Sequence, residues 1–184
     1  MNDIFYAHRG GFWSKEKKNS LYLGILLLVL SLIVQISAGR YSARSSAFAN
    51  FAGDIFLDNL PIVNLDFFIV ESALLLWIAV WLILGFRPRY LLFGIKAIAL
   101  FIIFRAFFIS LTHIGIYPTQ INIGPDDAAS GLYRLFTFQG NFFFSGHTGF
   151  PFLMALIFWD IKLARRLFLL LSLLFGLIML LAHV

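Results

Sequence analysis

Residues Phe67 to Thr112 read FFIVESALLLWIAVWLILGFRPRYLLFGIKAIALFIIFRAFFISLT, two apolar runs joined by Arg87-Pro88-Arg89. Each run has about the 20 residues that an α-helix needs to cross a hydrocarbon layer roughly 30 Å thick. Proline stops the first run, because it has no N–H to give and its ring clashes with the preceding turn. The two arginines anchor the connection as a basic loop. Two neighbouring membrane-spanning helices are therefore predicted, and with them an all-α, polytopic membrane helix bundle. The whole chain agrees: of 184 residues, 61% are hydrophobic and 12% charged, whereas the apolar share of soluble domains is nearer one half. There is no Cys, which excludes disulfides, thiolate catalysis and Cys-based metal sites. The formal charge of +5 does not call for a nucleic-acid partner, since basic residues of a polytopic protein collect on its cytoplasmic loops.

Outward from this pair, five spans are predicted, at about 21–38, 67–86, 90–112, 142–159 and 167–184. Residues 1–20 are polar and basic and read as a cytoplasmic N-terminal segment; 21–184 form the membrane domain. Gly39 to Asp66 mixes serines, aspartates and aromatics and reads as a loop against the membrane surface. His113 to Gln139 holds Pro118, Gly124-Pro125 and Gly131 and reads as a second loop. With alternating spans, Lys15, Lys17, Lys18, Arg87, Arg89, Lys162, Arg165 and Arg166 share one side, predicted to be the cytoplasm. The other side receives Asp54, Asp58, Asp66, Asp126 and Asp127.

The chemistry is predicted at Gly140 to Asp160, GNFFFSGHTGFPFLMALIFWD, on that extracytoplasmic side. Ser145, Gly146, His147 and Thr148 open an apolar helix there. Backbone N–H groups at a helix start favour an anion, and a neighbouring imidazole can move a proton on it. The plain alternative is that Ser145 is only an N-cap and His147 an interfacial polar residue. Arg105 is the second signal, since an arginine inside a span costs roughly 2.5 to 3.5 kcal/mol on insertion scales. Its planar guanidinium can hold two phosphate oxygens at once. Thr112 lies two helical turns further out and can share its face. Snorkelling, or pairing with Glu71 or Asp66, is the structural alternative for Arg105; Lys96 is expected to snorkel toward the cytoplasm.

These residues resemble the sphingomyelin synthase branch of the type 2 phosphatidic acid phosphatase superfamily. The resemblance runs through Arg105 to Thr112, Pro118, Gly140-Asn141 and Ser145-Gly146-His147-Thr148, more loosely Leu60-Pro61 with Asp66, and is strongest over Phe144 to Thr148. It implies six spans, an extracytoplasmic site and no metal or other cofactor. It implies membrane lipids as partners, a phospholipid donor with a ceramide or diacylglycerol acceptor, and transfer of the headgroup through a phosphohistidine. His147 would then act as general acid and base, Arg105 as phosphate clamp, and Ser145, Gly146, Thr148, Thr112 and Asn141 as substrate-binding positions. The family commonly carries Asp where Asn141 stands. The phosphatase branch fits less well, because Val80 stands where its Lys, seven residues before Arg87-Pro88, should be.

In the family a second motif, His-Tyr-x-x-Asp, supplies the nucleophilic histidine and the aspartate that orients it. Here His183 is followed by Val184 alone. The expectation is a fragment cut before that motif, with a non-catalytic membrane protein that binds lipid or a partner as the alternative. A small transporter with a polar path through Glu71, Lys96 and Arg105 is the other rival. It would need polar side chains at several depths, and spans one, four and five are read as having almost none.

Overall fold

A computed structural model describes residues 13–63, 65–112, 114–115 and 144–183, the side chains of 66 and 67 excepted. Among them the regular structure is entirely helical: α1 (Lys15–Ser46), α2 (Ile55–Asn59), α3 (Asp66–Phe86), α4 (Pro88–Leu111), α5 (Gly146–Ile157) and α6 (Lys162–Leu181). Four of these, α1, α3, α4 and α6, are long and apolar enough to cross a membrane, so the chain is a multi-pass membrane protein. Helix α5 has 12 residues, about 18 Å at the α-helical rise and short of a full crossing.

The Arg87-Pro88-Arg89 connection forms as its residues dictate. Helix α3 ends at Phe86 and Pro88 occupies the first turn of α4, where a missing N–H costs nothing. Arg87 closes the corner by donating its backbone N–H to the Leu84 carbonyl at 3.1 Å.

Helix α1 departs from the sequence reading at both ends. Its 32 residues make a rod of about 48 Å, running from Lys15, inside the expected N-terminal segment, to Ser46, inside the expected loop from Gly39. Ser14 caps its start, the hydroxyl accepting from the Lys17 N–H at 3.4 Å. The reason for its length is a buried face of small and polar residues, Gly24, Ser31, Gln35, Ala38, Ser42 and Ser46, recurring every three, four or seven positions. That face lies along α4. A Cβ built on Gly24 would stand 3.1 Å from Ile95 Cγ2, and Ala38 packs with Ala106 and Ile109. The two helices therefore run in the same direction, with Lys96 donating to Ser20 Oγ at 2.7 Å near one end. Lys96, expected to snorkel toward that side, extends from the level of Gly24 to a hydroxyl on the Lys15 side of the bundle. Small residues that let backbones approach are the usual contact between helices in lipid, where large side chains gain nothing by facing inward. Outward positions accordingly carry leucine and isoleucine, Leu173 being 72% exposed.

The core of the bundle joins α3, α4, α5 and α6 through Val80, Leu84, Ile98, Phe150, Met154 and Phe168, with Phe158 just after α5. Trp77 stacks on Phe150 with ring centroids 4.7 Å apart and planes within 8°. At the basic end the two helix corners are tied together: the Tyr90 hydroxyl donates to Asp160 Oδ2 at 2.6 Å. Arg165 bonds the Trp159 carbonyl at 3.2 Å and lies over its ring at 4.6 Å. The bond from Tyr90 is the main reason the Asp160 carboxyl is held below its ordinary value, with Arg89 and Arg87 adding to it. A carboxyl group whose pKa is depressed stabilises the fold above its unfolded value, 3.8, and that contribution is lost as pH falls through the folded value. Tyr90→Phe is thus expected to lower the thermal midpoint at pH 7 and to shrink its fall between pH 5 and pH 3, read by thermal unfolding in detergent across that range. An identical profile in both proteins would refute the coupling.

At the other end, the Val63 N–H donates to the Leu181 carbonyl at 2.9 Å, and the Gly115 N–H to the Asn50 carbonyl at 3.0 Å. His183 follows α6 in the left-handed region, φ 55°. Its side chain is 1% exposed, next in sequence to Ala182, which clusters with Ile69 and Met179.

Candidate functional site

Helix α5 starts at the cap that Ser145-Gly146-His147-Thr148 predicts, inside the expected span 142–159 and not at its first residue, since 144 and 145 are not helical. Ser145 has the extended backbone of an N-cap, and its hydroxyl oxygen accepts from the Thr148 N–H and from the Thr148 hydroxyl, both at 3.4 Å. The two hydroxyls predicted to face a ligand therefore also face one another. A second bond fixes this turn from outside, the Ser172 hydroxyl on α6 donating to the Thr148 carbonyl at 2.9 Å. Gly176, one turn further along α6, leaves room for Thr148, whose Cγ2 is 3.7 Å from where a Cβ would stand. Ser172→Ala is expected to cost about 1 kcal/mol or less, as for a single hydrogen bond between helices in lipid. Thermal unfolding of the purified protein measures it.

Arg105 reaches across to the same turn. Its Nε donates to the Phe144 carbonyl at 3.1 Å, and a Cβ on Gly146 would stand 3.4 Å from that nitrogen. Glycine at 146 is thus the residue over which the guanidinium lies, a role the sequence reading did not give it. His147 follows Gly146 directly in α5, and its ring is 6.2 Å from that of Phe175 on α6. Arg105 and His147 therefore share one depth of the bundle, at the start of α5.

Not every expected ligand comes with them. Thr112 caps α4 and its hydroxyl donates back to the Phe108 carbonyl at 3.0 Å, so the second position on the Arg105 face is committed to its own helix. Asn141 lies outside the described residues, as do Pro118 and Gly140. Pairing with Glu71, the structural alternative for Arg105, is not found: among the described residues Arg105 makes its bond to the Phe144 carbonyl and no ion pair, and Glu71 Oε2 is buried without a hydrogen bond. A guanidinium inside a membrane helix whose two Nη groups have no protein partner among the described residues is poised for an anion. Among those residues no three His, Asp or Glu side chains come together as metal ligands.

The expectation that the first span, 21–38, has almost no interior polar residues is corrected by Ser31 and Gln35, and the longer helix adds two more. Ser31, Gln35, Ser42 and Ser46 are all buried on α1, and Ser172 on α6. Their three-, four- and seven-residue spacing was the available signal. Compared with protein-family models, with curated proteins and with solved structures, the chain has no significant match.

Proposed function

We propose that the chain belongs to a lipid phosphotransferase of the sphingomyelin synthase-like type. The observation that carries this reading is the Arg105 guanidinium, bonded among the described residues through Nε and laid over Gly146 beside His147. Its two Nη groups would take two non-bridging oxygens of a headgroup phosphate. In a two-step transfer through a phosphohistidine, His147 would give a proton to the departing lipid alcohol as phosphorus passes from it to the nucleophilic histidine, and would take one from the incoming alcohol as phosphorus passes from that histidine to it. Five crossings are part of the proposal, the fourth being the predicted stretch 142–159 that contains α5. The N-terminus is cytoplasmic in this reading and the site extracytoplasmic, because Lys15, Lys17, Lys18, Arg87, Arg89, Lys162, Arg165 and Arg166 gather at one end. Arg40 and Arg44, at the other end of α1, reduce that contrast without reversing it. The same site with water as acceptor is a phosphatase of the related type.

The transfer step is tested directly. Purified material is incubated with fluorescent ceramide or diacylglycerol and a phospholipid donor. New headgroup-bearing lipid supports the transferase, and released phosphate the phosphatase. Neither product from any common donor would leave the second reading, a non-catalytic lipid-binding membrane protein. That reading draws on His183, whose side chain is almost wholly buried at the end of α6.

A further inference from the structure

At the basic end of the bundle, two guanidinium groups are laid over aromatic rings on either side of one hydrogen bond. Arg89, in the first turn of α4, has its Cζ 5.9 Å from the centre of the Tyr90 ring. The Tyr90 hydroxyl donates to Asp160. Trp159, next to Asp160 in sequence, carries Arg165 of α6 over its own ring at 4.6 Å, and its carbonyl accepts from Arg165. Both arginines therefore belong to one joint, where the α3–α4 corner meets the α5–α6 corner. Arg87, Arg89, Lys162 and Arg166 are exposed there, and so is the Trp159 ring, at 54%. Asp160 is the one acid in these two corners, and it faces five bases. Neither α4 nor α6 has a side-chain N-cap or an acidic residue in its first turn, so the helix dipoles add to the positive field.

We propose that this joint is a docking surface for an acidic phospholipid of the leaflet that meets the basic end, bound there without being turned over. A ring beneath a guanidinium fixes its plane and leaves the N–H edge to phosphate oxygens. Tyr and Trp sit at the headgroup level of a bilayer, so these arginines stand where lipid phosphates are. A dissolved anion would use the charges alone. Phe86, Leu163 and Leu167, each next in sequence to a base, are also exposed and offer apolar surface to acyl chains. An amphiphile thus fits both parts of the surface. Net charge then selects among lipids: a zwitterionic headgroup brings a further cation to a surface with a surplus of them, whereas an acidic one brings only the anion. Arg89 stands sixteen residues before Arg105 on α4, about 24 Å along the helix, so this surface is independent of the Arg105 reading.

Phosphatidylglycerol and phosphatidylcholine with the same acyl chains differ in net charge, so the ratio of their affinities reads the surface. Native mass spectrometry of the purified protein in mixed micelles, after equilibration at about 0.15 M salt, is expected to favour phosphatidylglycerol about tenfold. Arg89→Gln with Arg165→Gln should bring the ratio to within about twofold of one, while Arg40→Gln with Arg44→Gln, at the far end of α1, leaves it unchanged. Arg89→Lys with Arg165→Lys keeps both charges without the planar stack and should lower the ratio about threefold. Arg89→Gln alone removes a side chain whose contact among the described residues is the Tyr90 ring. It should lower the ratio about twofold or more even if losing Arg165 from Trp159 unfolds the double variant. The preference should also survive Arg105→Ala. A wild-type ratio near one, a ratio unchanged in Arg89→Gln or in the paired lysine variant, a preference lost in Arg105→Ala, or displacement of the lipid by inorganic phosphate at constant ionic strength overturns the assignment. Failure of the transferase reading looks different: no headgroup moves, and the preference for the acidic lipid persists.

Discussion

His147→Ala is expected to lower headgroup transfer by about 10²- to 10⁴-fold, the usual contribution of a positioned general acid and base, while phospholipid binding is retained. The split follows from where the two charged groups sit. In the proposed transfer the imidazole would act on a proton that moves only during reaction, so its loss would fall on kcat. Arg105 would hold charge that is present in the bound lipid before and during reaction, so Arg105→Ala should lose binding as well as turnover. Arg105→Lys should not restore it, since an ammonium cannot present two parallel N–H groups to one phosphate, nor lie flat over Gly146 while its Nε holds the Phe144 carbonyl. Single-turnover rates and lipid binding measured on the same preparations separate the two effects. Equal loss of both quantities in His147→Ala would mean that His147 supports the fold or the lipid site and moves no proton.

Much of this arrangement was legible because it depends on neighbours in sequence. Proline between two arginines gives a corner whatever surrounds it, and Ser145 before Gly146-His147-Thr148 gives a capped helix start. Arg105 was legible for the opposite reason: a charge in an apolar run requires a partner, and the chain offered few. What it lies against was not legible, because the Phe144 carbonyl is a backbone group and has no signature in the sequence. Thr112 shows the limit of helical periodicity. Two turns from Arg105 it faces the right way, yet a threonine at the end of a helix has a backbone carbonyl four residues back within reach, and that bond was formed.

Helix α1 was misread because composition counts polarity without asking which way it points. Gly39 to Ser46 contains two arginines and three serines and looks like a surface loop. Arg40 and Arg44 are indeed exposed, but Ser42 and Ser46 lie on the other side, in register with Gln35 and Ala38. In a soluble protein such a helix would bury its leucines. In lipid the preference inverts, and the small polar positions become the contact with α4. The same inversion explains why Gln35 was passed over: a single amide in an eighteen-residue apolar run reads as tolerated, whereas its burial places it in the contact with α4.

Gly115→Val is expected to be the most destabilising single substitution in the far end of the α1–α4 pair, at about 1–3 kcal/mol, the range for overpacking a filled site. A Cβ at 115 would overlap the Ala49 carbonyl oxygen and come within 2.8 Å of the Asn50 carbonyl carbon and the Phe51 nitrogen. All three are backbone atoms, so no side chain can turn aside to make room. Relief requires the segment after α4 to lift from the segment after α1, which breaks the bond from the Gly115 N–H to the Asn50 carbonyl. Separation would propagate into the seam between Ser42, Ala38 and Ile109, just beyond the level of Arg105. Two readouts should therefore move together: a lower midpoint of thermal unfolding in detergent, and weaker binding of phosphatidylcholine. Gly85→Ala is the control, since nothing lies within 4 Å of a Cβ there, and both readouts should stay within error of wild type. If Gly115→Val unfolds at a lower temperature but binds lipid as before, the far end of the seam is structurally separate from the Arg105 site. An unchanged midpoint would show that the two segments do not pack as closely as the glycine implies.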